Sequence, residues 1–214
     1  MQAVGRKRTL SRERVAAAAL TLIEREGLER LTMRALGGDL GVEGMALYTH
    51  VRNKDDLLDA VADLVLQDLD VSFDVAAPWQ ERLRHAARSW GALQERYPRA
   101  FPLIFRSGLQ TNRVRVLTEE MLDALRTAGF DECGTAEAYQ AFVVLLDSAL
   151  IGRSQWTDAE LQAAWRRGAA AVDASIYPRF AEIAPRAAEL TWPVMFDVAL
   201  DILVEGVEAR LARC

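Results

Sequence analysis

The chain has 214 residues, with 26 Lys and Arg against 31 Asp and Glu, a formal net charge of −5 and an apolar fraction of 51%. That composition is globular, and its length suits one sizeable domain or a small domain fused to a larger one; an intrinsically disordered chain is excluded. No apolar run approaches the roughly 18–20 residues of a membrane span. Two cysteines (Cys133, Cys214) and two histidines (His50, His85) are too few for a disulfide framework or a His-rich metal centre. No metal or other cofactor is therefore expected. Arg6, Lys7 and Arg8 lack a following apolar stretch and do not read as a secretory signal, so the expected setting is cytoplasmic.

In chain order, the charge separates first. Residues 1–54 hold 10 basic and 6 acidic side chains, a net of +4, and residues 55–214 hold 16 and 25, a net of −9. A basic head on an acidic body suggests that only the head meets a polyanion. Alternating β-branched runs are absent, and apolar residues recur at helical spacing, which predicts an all-α fold. Ser11 caps a first helix carrying Val15, Ala18, Ala19, Leu22 and Ile23, which Gly27 closes. Thr32 caps a short second helix through Leu40, Gly41 breaks it, and a brief helical stretch follows to about His50. Asn53, with Asp56 three residues on, approximates a capping box for a helix over 54–70. Beyond a break at 71–78, helices are predicted at 79–95, 99–106, 112–128, 135–153, 158–170, 178–189 and 192–212.

The informative segment is 31–54, LTMRALGGDLGVEGMALYTHVRNK. Two short helices meet at Gly41, a residue suited to a tight turn with φ > 0, and Gly37 permits a close crossing. Leu40, Val42 and Leu47 would lock that crossing, which is the pattern of a helix-turn-helix whose second helix enters the major groove. The glycines do not form a phosphate loop, since no strand precedes them and no Lys-Ser/Thr follows.

This segment resembles the DNA-binding domain of the TetR family of bacterial transcriptional regulators over residues 11–66, through Gly41-Val42, Ala46-Leu47-Tyr48, His50-Val51, Asn53-Lys54 and Leu57-Leu58. Within the family it is most similar to the tetracycline-repressor subgroup. The resemblance implies a helix-turn-helix head over 1–54, a linking helix over 54–70, and a larger helical ligand-binding and dimerisation domain over 71–214. It places Arg34 against a base or phosphate, Gly44, Met45 and Ala46 at the base-facing start of the recognition helix, and Tyr48, Thr49, His50 and Lys54 along the DNA backbone. Tyr, His and Lys each donate to phosphate, and a helix N-terminus beside Lys54 favours anions. Gly44 would allow close approach to DNA, while Met45 and Ala46 pack on a thymine methyl without donating. Arg6, Lys7 and Arg8 are either an arm reaching DNA or a solvated tail.

In the body, Met195, Ala199, Ile202, Gly206 and Ala209 form one stripe of the last helix, and Phe196, Leu200, Leu203, Val207 and Leu211 form another. An apolar arc wider than about 100° implies two neighbours. With the helix at 135–153 (Ala138, Tyr139, Phe142, Val143, Leu146, Leu150), this predicts a four-helix homodimer interface, as in the family. Candidate residues for a ligand pocket are Trp90, Phe101, Phe105, Phe142 and Trp156, with Gln140 and Asp147 as polar members and Arg106 for an anionic group. No nucleophile–base pair is visible, so an enzyme is not expected. The resulting expectation is a one-component regulator, a repressor that binds a palindromic operator and is released by a small-molecule effector; a DNA-binding regulator without an effector is the alternative.

Overall fold

The computed structural model describes residues 10–107 and 111–211, with the side chains at 107, 151 and 154–157 outside that description. Among the described residues the regular structure is helical throughout. Arg6, Lys7, Arg8, the Trp156 side chain and Cys214 lie outside them.

The chain divides into two compact units, one of residues 1–73 with 88–120 and one of 74–87 with 121–214. The first opens with α1 (Arg12–Glu26), capped by Ser11, whose hydroxyl accepts the Arg14 N–H. A 3₁₀ turn (Leu28–Arg30) leads to α2 (Met33–Leu40), where Thr32 accepts the Ala35 N–H. Gly41 ends α2 at φ 69°, with Val42 N–H donating to the Gly37 carbonyl and Gly41 N–H to that of Gly38. That is a Schellman ending, which requires a left-handed residue at Gly41. The next segment, Gly44–Thr49, where a brief helical stretch was expected, is a 3₁₀ helix.

α3 (Lys54–Leu66) follows, capped by Asn53, which accepts the Asp56 N–H at 2.8 Å. Val15, Ala19, Leu22 and Ile23 of α1 and Leu57, Val61, Ala62 and Val65 of α3 are all but inaccessible to solvent. Burying each of the larger ones contributes about 1.5–3 kcal/mol, so this α1–α3 contact is the core of the head.

α4 (Trp79–Arg96) and α6 (Asn112–Ala128) each run from one unit into the other. Between them, a 3₁₀ turn (Phe101–Leu103) and α5 (Ile104–Ser107) belong to the first unit. This stretch is bound to the head by polar contacts. Glu24 of α1 accepts the backbone N–H of Ala100 at 2.7 Å, Arg99 donates to the Arg25 carbonyl at 2.7 Å, and Tyr97 donates to Asp68.

The second unit is built on α7 (Glu132–Thr157) and α10 (Trp192–Leu211), with α8 (Ala159–Ala170) and α9 (Pro178–Ala187) between them in the chain. Phe142, Leu146 and Leu150 of α7 are buried, as are Leu200, Val204 and Val207 of α10. Asp201 and Glu208 tie α10 to the start of α4 through Arg84 and Gln80, at 3.0 and 3.1 Å. α8 and α9 share a small cluster of Ala169, Ala184 and Ala188.

Candidate nucleic-acid interface

The geometry of the head rests on two glycines. A Cβ on Gly37 would lie 2.8 Å from both the Gly44 nitrogen and the Val42 carbonyl oxygen, and one on Gly44 would lie 2.9 Å from the Met33 carbonyl oxygen. Real Cβ atoms do not approach backbone this closely, so α2 and the 44–49 turn can cross at this distance only with glycine at both positions. Leu36 and Leu47, fully buried, fill the rest of the crossing. Gly44 therefore faces α2, which corrects the expectation that its missing side chain makes room for DNA.

With the crossing fixed, the remaining side chains of the turn point outward. Met45 is 75% exposed, and Ala46, Tyr48 and Thr49 are exposed with it; His50 is half-buried. Arg34 on α2 and Lys54 at the start of α3 are exposed. Among the described residues, no hydrogen bond or ion pair engages the side chains of Arg34, Tyr48, His50 or Lys54. Thr49 differs: its hydroxyl donates to the Ala46 carbonyl at 2.7 Å, so its proton is used within the turn and it must rotate before donating to phosphate.

The turn between His50 and α3 is held by Asp56. Its carboxylate accepts both Arg12 Nη1 and Nη2, at 2.8 and 3.0 Å, and the backbone N–H of Arg52 at 2.7 Å. Asn53 caps Asp56, but the carboxylate returns to Arg52 rather than to Asn53, so only half of the predicted capping box forms. The Arg12 guanidinium, then the Arg52 N–H, hold the Asp56 carboxyl far below the usual carboxylate range.

An exposed set of Arg, Tyr, His and Lys around a short turn presented by a helix-turn-helix is equipped to donate to phosphates and base edges. Residues 15–61 match the family described as bacterial regulatory proteins, tetR family, and residues 75–211 match the tetracyclin repressor-like C-terminal domain. The chain belongs to the TetR family. The HTH-type transcriptional repressor DrrR1 of Streptomyces coeruleorubidus is 29% identical to this TetR-family chain over 160 residues, 71% of the chain and 55% of DrrR1. Tetracycline repressor protein class D of Escherichia coli is 42% identical over 90 residues, 41% of each protein. The matches thus span about half the length of these curated relatives. The solved structure of apo ActR from Streptomyces coelicolor has a TM-score of 0.81 at 22% identity, covering 95% of this chain and 97% of ActR. ActR in complex with actinorhodin gives 0.80 at 23%, covering 95% and 99%. At that identity the likeness is one of fold.

The predicted pocket residues of this TetR-family body fall into different settings. Trp90 and Phe105 each meet Phe101 edge-on, at centroid distances of 6.4 and 5.8 Å, within the first unit. Phe101 is buried core, whereas Phe105 is exposed. Arg106 does not stand open to an anionic ligand: its Nη2 donates to Asp55 of α3 at 2.7 Å, which satisfies its charge. In the second unit Phe142 is buried beside a cavity of about 40 Å³ that Phe196, Leu200 and Leu203 also line. Gln140 is exposed on the rim of a shallow hollow with Glu137 and Arg210. Asp147 is half-buried and has no partner among the described residues, and burial raises its pKa.

The sequence reading did not single out a further concavity of that unit. An open groove of about 760 Å³ between α8 and α9 is lined by Leu161, Trp165, Gly168, Ala169, Phe180 and Ala184. The spacing of Leu161, Trp165 and Gly168 was a visible signal of an apolar stripe on α8. Among the described residues no group of His, Cys, Asp or Glu side chains is placed to hold a metal ion, and no helix is long and apolar enough to cross a membrane.

Proposed function

We propose that this chain is a cytoplasmic one-component transcriptional repressor that binds a palindromic operator as a homodimer and is released when its helical body takes up a small organic effector. The observation that carries the reading is the exposed set Arg34, Met45, Ala46, Tyr48, His50 and Lys54 around a turn locked by Gly37 and Gly44, in a chain of the TetR family. Relatives are named as transcriptional regulators and repressors, which supports a binding protein rather than an enzyme. ActR, of the same fold, is described in complex with actinorhodin, which supports a body that holds a small molecule.

The homodimer is proposed through α7 and α10. In the single chain, Val144 and Leu145 of α7 and Val194, Val198 and Ile202 of α10 are 44–64% exposed, together with Ala141, Ala199, Gly206 and Ala209. Leu200, Val204 and Val207, on the other side of α10, are buried in its own unit. A Cβ on Gly206 would meet nothing within 4 Å, so this chain alone does not require glycine there, and a close-packed second helix accounts for it. Two heads on a two-fold axis would reach half-sites about 34–36 Å apart.

The reading is tested by thermal-shift screening of small organic molecules, followed by fluorescence anisotropy of the chain on its selected duplex. A true effector raises the melting temperature, because it binds the native state, and lowers DNA affinity. By linkage, DNA weakens effector binding by the same factor. A molecule that stabilises the protein without altering DNA affinity would count against release, and would favour a regulator without an effector.

A further inference from the structure

The turn between the 44–49 segment and α3 contains a cation that the family resemblance did not assign. Arg52 lies between His50 and Lys54, and its side chain is 88% exposed. Its backbone is fixed, since the Arg52 N–H donates to Asp56 Oδ2 at 2.7 Å. Its guanidinium reaches Asp56 Oδ1 only at 3.4 Å, and that oxygen already accepts Arg12 Nη2 at 3.0 Å. Two arginines thus share one carboxylate. Arg12 holds it with two short bonds, and the surplus positive charge resides on the exposed Arg52.

We propose that Arg52 is a further phosphate-contacting residue of the head, and that Asp56 is the positioning residue that aims it. The proposal rests on the reading of the 34–54 face as the DNA interface. A guanidinium presents several donors in a fixed fork that suits phosphate oxygens. With its Cα pinned by a buried carboxylate, Arg52 gives up less freedom on meeting DNA than a side chain on a loose loop. Asp56 acts by holding the Arg52 backbone through its carboxylate rather than by attracting DNA itself. As an anion beside the DNA edge it repels phosphate, so electrostatics alone predicts that removing its charge tightens binding. A positioning role predicts the opposite sign.

The test uses the full chain and its Arg52→Ala, Asp56→Asn and doubly substituted variants, titrated onto a selected duplex and a scrambled duplex at several salt concentrations. Arg52→Ala is expected to weaken both complexes alike, roughly 10- to 150-fold, as for one charged hydrogen bond, and to flatten the salt slope by about one. Asp56→Asn is expected to weaken binding as well, and Arg52→Ala is expected to cost much less in the Asp56→Asn background. If Asp56→Asn does not fold, Asp56→Glu, which keeps the charge and displaces the carboxylate from Arg52 and Arg12, is expected to give the same ordering. Tighter binding by Asp56→Asn, an unchanged slope in Arg52→Ala, or an equal Arg52→Ala defect in both backgrounds would overturn the proposal. A wild-type chain that binds neither duplex would instead defeat the reading of the head itself.

Discussion

Gly37 and Gly44 face each other across the helix-turn-helix so closely that a Cβ on Gly37 would lie 2.8 Å from the Gly44 nitrogen. The contact is backbone against backbone, and no rotamer change can relieve it. Gly37→Ala or Gly44→Ala should therefore destabilise the head by about 1–3 kcal/mol, the usual range for overpacking. Gly38, one residue away on α2, has nothing within 4 Å of its missing Cβ. Gly38→Ala should stabilise the head by up to about 1 kcal/mol through helix propensity. Urea unfolding of the three variants checks this, and a Gly37→Ala protein as stable as wild type would remove the close crossing.

Asp56 and Arg12 make the head's stability depend on pH in a defined direction. The Asp56 carboxyl is held below its ordinary pKa when folded, so its contribution is fully present above about pH 4 and is lost as the pH falls toward the lowered folded value. Asp56→Asn should cost about 1–3 kcal/mol at neutral pH, since it breaks charged hydrogen bonds at a buried site. That difference from wild type should shrink steadily below about pH 4. An equal difference at pH 3 and pH 7 would mean that the carboxylate is not held in its charged form.

Arg34 and Lys54 should separate by what they read. Lys54→Ala should weaken all duplexes alike and flatten the salt dependence by about one unit of slope. Arg34→Ala should also relax preference at one base position, by about 1–3 kcal/mol for a bidentate contact. Binding-site selection with the Arg34→Ala protein decides the matter. An unchanged preference would assign Arg34 to the phosphate backbone.

The helix caps Ser11, Thr32 and Asn53 and the turn at Gly41 were legible in the sequence because each acts within a few residues of itself. The role of Gly44 was not, since it depends on where the Met33 carbonyl arrives after the chain crosses back. Arg106 was likewise misplaced: its partner Asp55 is 51 positions away, and only the packing of α5 on α3 joins them. α7 begins at Glu132, earlier than its apolar pattern suggested. Asp131, which accepts the Gly134 N–H at 2.7 Å, was the capping signal that could have located that start. The aromatic candidates for a pocket were chosen by residue type alone, and type does not separate Phe101, which is core, from Trp165, which is half-open.

Ala199→Glu with Gly206→Glu should break the proposed dimer, because both positions are exposed on the apolar side of α10 and a buried, unpaired charge there is costly. Sedimentation should show a folded monomer that keeps weak, salt-sensitive DNA contact and loses high-affinity binding to a palindrome. A doubly substituted protein that remains dimeric would remove this face from the interface.

The most direct test of the whole account is to incubate the purified chain with fragmented genomic DNA of its source, recover the bound fragments and sequence them. The account predicts enrichment of a palindrome whose half-sites are about one helical turn apart, at positions that a regulator can use beside a promoter. Fragments with no shared sequence, or with single unpaired sites, would contradict a two-headed reader of operator DNA.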